Sequence, residues 1–317
     1  MEDNKKTQLP SLDDFLLNLQ VNNFSQETIY NYERDLKVFE DFLKSMNLDF
    51  DSIDKKAILN YKAYLISQDR RTSGDKKTKI KLVSFSINRM LSAIRSYLKY
   101  LIDMDYKTPV SPTEIKLVRT EKKHARVSEF EEIKRLIESP SKFEKNRIVA
   151  YRNRAALETL FSTGLRISEL ISLKKTQVDP TGRIFVMGKG KKERFVYLTD
   201  RAQLHIKNYL IVRGIDDSPF LFIPMRGKNA SQKDKKISPN YLEERVKKYR
   251  ELLGLNVPIT VHGIRHAFAT YLAENGANPA AIQILLGHES LDTTTRYVHA
   301  SDRYAEKTHH DFHPLKK

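Results

Sequence analysis

The stretch Thr260–His299, TVHGIRHAFATYLAENGANPAAIQILLGHESLDTTTRYVH, decides how the rest of the chain is read. Its first part has helical apolar spacing, and Gly276 and Pro279 end one helix and begin the next. The second helix runs through Ile282, Leu285 and Leu286 and stops at Gly287, so His288 stands at its C-terminal end. A third short helix is expected to carry Tyr297. His262 and Arg265 lie three residues apart and leave the same helix face, within reach of one small anion. Two imidazoles, a guanidinium and a phenol, gathered without cysteine or a carboxylate cluster, suit phosphate chemistry with a protein nucleophile.

Such chemistry calls for a second arginine and an acid, and both lie upstream. Thr163–Leu170, TGLRISEL, puts Arg166 after a glycine turn and at the start of a short helix, with Glu169 three residues further along the same side. Gly188–Lys192, GKGKK, separates two strand-like runs, 183–187 and 194–198, and reads as a hairpin tip carrying Lys189.

In their order and spacing, Arg166, Lys189, His262, Arg265, His288 and Tyr297 resemble the catalytic set of the tyrosine recombinases, the phage integrase family. The resemblance extends from about Ser11 to the end. Within the family, TTTRYVHAS around Tyr297 and GKGKKERFVYL in the hairpin are similar to the Xer site-specific recombinases. The resemblance implies a mainly α fold: an N-terminal helical core-binding (SAM-like) bundle, then a mixed α+β catalytic domain with a small β-sheet. It also implies a division of labour in the site. Tyr297 attacks a DNA phosphodiester and leaves a 3′-phosphotyrosyl link, Arg166 and Arg265 hold the non-bridging oxygens, and His262 and His288 donate hydrogen bonds. Lys189 is the general acid, His262 takes the phenolic proton, and Glu169 orients its neighbours. Neither ATP nor a metal or other cofactor is expected: no P-loop is present, and His262 and His266, though at helical ligand spacing, lack an intervening glutamate.

The implied partners are a double-stranded DNA recombination site and three further protomers, identical or from a paralogue, forming a tetramer on two duplexes. A septal DNA translocase is the expected activator and chromosome dimer resolution at a terminus site the expected role. The alternatives are an integrase or excisionase of a mobile element, a type IB topoisomerase, and a non-catalytic DNA-binding protein. The first helix begins almost at the amino terminus, so the compact type without an arm-binding domain is expected. Beyond Tyr297 the tail would pack into a neighbouring protomer through Phe312 and Leu315.

Composition agrees with a nucleic-acid partner. Of 317 residues, 56 are Lys or Arg and 40 are Asp or Glu, for a formal net charge of +16. So large an excess must face solvent, and a polyanion is its natural complement. The chain has no cysteine, which removes disulfides, thiolate metal sites and thiol nucleophiles. No signal-peptide pattern or membrane-length apolar run occurs, so a cytoplasmic, nucleoid-associated protein is expected.

Three stretches are expected along the chain: a helical DNA-binding domain over 1–110, a basic linker over 111–127 and a catalytic domain over 128–317. In the first, Ser11 and Ser25 are candidate caps, and Ile29, Tyr32, Leu36, Phe39 and Leu43 form one apolar stripe. A third helix is expected from Asp51 and a fourth from Ser84 to about Ile102. Arg70, Arg71, Lys76, Lys77, Lys79 and Lys81 fill a loop between them, and the resemblance makes them backbone contacts to DNA. Ser25, Thr28 and Tyr32 are candidate neutral phosphate contacts. Arg119, Lys122 and Lys123 in the linker, and Lys191 and Lys192 beside the hairpin tip, complete the expected DNA-binding set. Ser128 and Glu131 have capping-box spacing at the start of the second domain.

Overall fold

The computed structural model describes residues 9–67, 81–120, 129–188, 193–227 and 229–287. The chain divides into two compact units, Met1–Lys123 and His124–Lys317. No described helix is long and apolar enough to cross a membrane.

In the first unit the apolar stripes become four helices: α1 (Leu12–Val21), α2 (Gln26–Ser45), α3 (Lys55–Ile66) and α4 (Ser84–Asp103). The α2 stripe buries Leu36, Phe39 and Leu43, with Ile29 and Tyr32 at its margin. It meets Tyr61 and Leu65 of α3 and Leu91, Ile94, Leu98 and Leu101 of α4 in one core. Ser25 caps α2, its hydroxyl accepting the Thr28 N–H at 3.2 Å.

Of two other expected caps, Ser11 keeps its place without a capping bond and the one at Asp51 moves. Ser11 precedes α1 but is left-handed, with φ 51° and no capping bond, because burial of Leu9 and the Tyr97 hydroxyl bond to the Pro10 carbonyl fix the chain just before it. Helix α3 starts after Asp54, not Asp51. Phe50, the first residue of a 3₁₀ turn, and Ile53, just after it, are buried, and the Asp54 carboxylate accepts the Ala57 N–H at 2.7 Å.

The first part of the stretch expected as linker is packed. Ile115 joins Val110 of the expected first domain in the first core, and Asn88 clamps Val118 by two hydrogen bonds to its backbone, 2.8 and 2.9 Å long. Apolar contacts outweigh the absence of helical periodicity here.

The second unit is built around α6 (Arg147–Thr163), whose Ala155, Ala156, Leu157 and Leu160 are fully buried. It packs between α5 (Phe130–Phe143), α8 (Asp200–Arg213) and α10 (Val261–Glu274). Helix α5 starts one residue later than the Ser128 box predicts: Glu129 is the N-cap, and Glu132 reaches back to its N–H at 3.2 Å. Helices α7 (Ile167–Ile171), α9 (Pro239–Leu252) and α11 (Pro279–Leu286) complete the unit. Strands β1 (Arg183–Met187) and β2 (Glu193–Tyr197) pair antiparallel with Phe185 opposite Phe195. Ile184, Val186, Arg194 and Val196 point inward.

Candidate active site

The site begins where α6 ends. Gly164 takes the left-handed conformation, φ 62°, and turns the chain into α7. A Cβ at Gly164 would stand 2.4 Å from the Phe268 ring, so both its backbone and its surroundings require glycine. Arg166 is the N-cap of α7, and its own N–H donates to Glu169 Oε2 at 2.7 Å. Glu169 therefore closes the first turn and turns its carboxylate toward the Arg166 side chain, whose Nη1 donates to Oε1 at 3.0 Å.

Two further arginines converge on this carboxylate. Arg194 from β2 grips it with both terminal nitrogens, Nη1 to Oε1 at 2.9 Å and Nη2 to Oε2 at 2.8 Å. Arg265 from α10 brings Nη1 to 3.9 Å from Oε2. Burial opposes ionisation of Glu169, but the Arg194 hydrogen bonds, the Arg166 amide and the two guanidinium charges outweigh it and hold the carboxyl below its usual range.

The same arginines bind the C-terminal end of α11, and each takes a different carbonyl. Arg194 Nε donates to Leu285 at 2.8 Å, Arg265 Nη2 to Leu286 at 2.7 Å and Arg166 Nη2 to Gly287 at 3.1 Å. These are carbonyls that a helix end leaves without intrahelical donors, at the negative pole of its dipole. Arg265 also donates to the Gly164 carbonyl at 2.6 Å. Gly287, left-handed at φ 62°, lies against Arg194, whose guanidinium would be 3.0 Å from a Cβ there. The network thus joins the α6–α7 turn, the hairpin, α10 and α11.

The guanidiniums differ in access. The Arg166 side chain is 33% exposed, whereas those of Arg194 and Arg265 are each 5% exposed. Three cations meet one carboxylate, so positive charge remains and its outlet is Arg166. His262 is exposed one turn before Arg265 on α10, which Thr260 caps through the Gly263 N–H at 2.9 Å. His266, one turn after His262, is held below the usual imidazole range by burial and by the His262 charge.

Of the residues singled out by sequence, Arg166, Glu169 and Arg265 are brought together. Lys189, Lys191, Lys192, His288 and Tyr297 lie outside the described residues, as do Arg70, Arg71, Lys76, Lys77, Lys79, Lys122 and Lys123. Lys81 and Arg119 are exposed on the first unit. Tyr32 packs edge-on against Phe15, with its hydroxyl 3.3 Å from Ser96 Oγ, and the Ser25 and Thr28 hydroxyls bond each other at 2.8 Å. Arg194 is the residue of this network that sequence reasoning misses. Its signal is an arginine in phase with Ile184, Val186 and Val196 on the inward face of the hairpin. Elsewhere in the second unit, a cavity of about 760 Å³ is lined by Lys145, Arg226, Lys236, Arg245 and Lys248, a further concentration of positive charge. Among the described residues no group of three or more His, Asp or Glu is arranged to hold a metal.

Both units are similar to known proteins. Residues 126–303 match the phage integrase family and residues 12–104 its N-terminal SAM-like domain. Tyrosine recombinase XerD of Staphylococcus aureus is 32% identical over 315 residues, covering 96% of this chain and 98% of the relative. The crystal structure of XerA recombinase matches at 25% identity with a TM-score of 0.51, covering 96% of this chain and 99% of that one. The fold is also that of XerH site-specific recombinase bound to palindromic difH substrate, with a TM-score of 0.69 at 22% identity, 90% of this chain and 80% of that one being covered. With both halves matched in order and an Xer relative spanning nearly the whole length, the chain belongs to the phage integrase family, the tyrosine recombinases.

Proposed function

We propose that this recombinase cleaves and rejoins a specific DNA site through Tyr297, in the manner of the Xer enzymes. The observation that carries the reading is the excess of guanidinium over carboxylate around Glu169, with its solvent outlet at Arg166. A phosphodiester undergoing attack gathers negative charge on its non-bridging oxygens, and a partly exposed guanidinium in a dry surround is suited to hold it. Arg166 makes that contact, and Arg265 adds its charge from beneath.

Tyr297 forms the new oxygen–phosphorus bond as the bond to the 5′ oxygen breaks. His262 takes the phenolic proton, His288 donates to a non-bridging oxygen, and Lys189 gives the departing 5′ oxygen its proton. The unperturbed phenol has a pKa of about 10, and the surrounding cations favour its ionised form. The bond energy stays in the 3′-phosphotyrosyl link, so a second 5′-hydroxyl reverses the step without ATP and no metal is needed.

The wider role is the one that the resemblance to the Xer recombinases implies. The enzyme acts as a tetramer on two duplexes, resolves chromosome dimers at a terminus site and answers to a septal translocase. It works in the cytoplasm, and basic residues of both units, including those of the cavity, follow the DNA backbone.

The test is covalent trapping on nicked duplexes drawn from pooled genomic fragments. Wild-type protein is expected to give a denaturation-resistant adduct and Tyr297→Phe none. Sequencing the trapped DNA separates a chromosomal terminus site from the ends of a mobile element. An adduct that survives Tyr297→Phe would assign the nucleophile elsewhere.

A further inference from the structure

Arg194 enters no step of that reaction, yet it is the hub between the site's parts. Glu169 Oε1 accepts from Arg166 and Arg194, and Oε2 accepts from the Arg166 amide and Arg194 and lies near Arg265. The two-point grip comes from Arg194, which shares with Glu169 a nearly dry location, at 5% and 7% exposure. In such a place a carboxylate demands a full countercharge. With Arg194 absent, the countercharges at hand are Arg166 and Arg265, the two that a phosphate would use.

From this, and resting on the reaction proposed above, we infer that Arg194 is a positioning residue for strand transfer. It meets both oxygens of Glu169, which Arg166 touches with Nη1 alone among its guanidinium nitrogens, and so leaves most of the Arg166 charge for the scissile phosphate. Its Nε bond to Leu285 ties the same adjustment to the end of α11. Lysine cannot replace it, because a single ammonium lacks the planar fork that meets both carboxylate oxygens and a carbonyl at once.

The experiment follows single-turnover cleavage of the trapped duplex at saturating protein, for wild type, Arg194→Gln, Arg194→Lys and Arg194→Gln with Glu169→Gln. A gel-shift titration and a circular-dichroism melt accompany each. Two substrates are used, one with an ordinary scissile phosphate and one with a methylphosphonate, in which a charged non-bridging oxygen is replaced by methyl. Arg194→Gln should bind DNA within about twofold of wild type and cleave the phosphate roughly 100-fold more slowly, the order of loss expected from misplacing a catalytic contact by about an ångström. On the methylphosphonate the gap should shrink to roughly tenfold or less, since one charged oxygen no longer needs a guanidinium. Neutralising Glu169 in the same background should restore cleavage in part, because an amide does not draw Arg166 inward. Arg194→Lys keeps the buried charge and should fold where the glutamine variant does not; it is expected to show the same substrate-dependent defect, smaller in size.

Wild-type rates for both Arg194 variants would overturn the inference. So would an equal loss on both substrates that Glu169→Gln leaves unchanged, the mark of a simple brace. If Tyr297→Phe still forms an adduct, or wild type forms none even with the translocase's regulatory domain added, the reaction reading fails first.

Discussion

At the residue scale, Gly164 carries more of the site than its size suggests. Its left-handed φ lets α6 end and α7 begin, its carbonyl accepts from Arg265, and its missing Cβ leaves room for Phe268 and Leu286. Gly164→Ala should cost about 1–3 kcal/mol in urea unfolding, from backbone strain and overpacking together, and should slow cleavage because Arg265 moves with the turn. A second prediction concerns acid. Burial and the charge of His262 hold the His266 imidazole below the usual value near 6.5, so it favours the neutral form in the folded protein. Its contribution to stability is then present above that value and is lost as pH falls through the lower folded one. Glu169 behaves alike around its ordinary value of 4.5: the folded carboxyl titrates lower, and the stability it adds is lost as pH falls through that lower value. Thermal melts against pH should therefore decline in two steps on acidification. His266→Gln should shrink the upper step, to which His205 also contributes, and Glu169→Gln the lower, to which Asp216 and Glu138 also contribute.

At the element scale, α10 and α11 present the arginine and the acceptors, and their ends matter most. Thr260→Ala removes the oxygen that caps α10 and should cost about 1 kcal/mol, fraying the turn that carries His262. Circular dichroism melts would register the loss, and cleavage should fall more than DNA binding. The boundaries of these two helices are readable because Gly276, Pro279 and Gly287 punctuate a regular apolar pattern. The same holds for the hairpin and for Arg166 after its glycine turn. Less readable are the caps near Ser11 and Asp51, where several acidic or hydroxyl residues compete within a few positions. Burial of Leu9, Phe50 and Ile53 decides the choice. The segment 110–118 lacks a helical period, yet it is held by Ile115 and by Asn88, a partner about thirty residues away in sequence. The carbonyls of Leu285, Leu286 and Gly287 are invisible for a different reason: backbone acceptors have no letter in the sequence. Arg194 has one, but an arginine at an inward strand position declares itself only when the facing carboxylate is known.

At the scale of the whole molecule, a net charge of +16 and a separate main core in each unit set the behaviour. DNA affinity should fall steeply with salt, since each phosphate neutralised releases counterion with a logarithmic slope of about −0.9 on duplex DNA. Titrations over a range of salt would count those contacts directly. The two cores also make a folding prediction. Among the described residues the first core buries nothing beyond Ile115, with Val118 packed against it, and the second begins at Ile133. The first unit thus includes the clamp of Asn88 on Val118, and cutting at 110 would strip Ile115 from a closed core. A fragment over 1–123 should therefore unfold cooperatively in urea, while one over 1–110 should be markedly less stable. The complement, 124–317, should fold alone with its arginine network intact. Each fragment should bind DNA more weakly than the full chain, because tethering raises the effective concentration of the second contact once the first is made. A fragment over 1–110 as stable as 1–123 would show that Val110, Ile115 and Val118 merely lie on the bundle, whereas loss of cooperativity in 124–317 would mean that the catalytic half depends on its neighbour to fold.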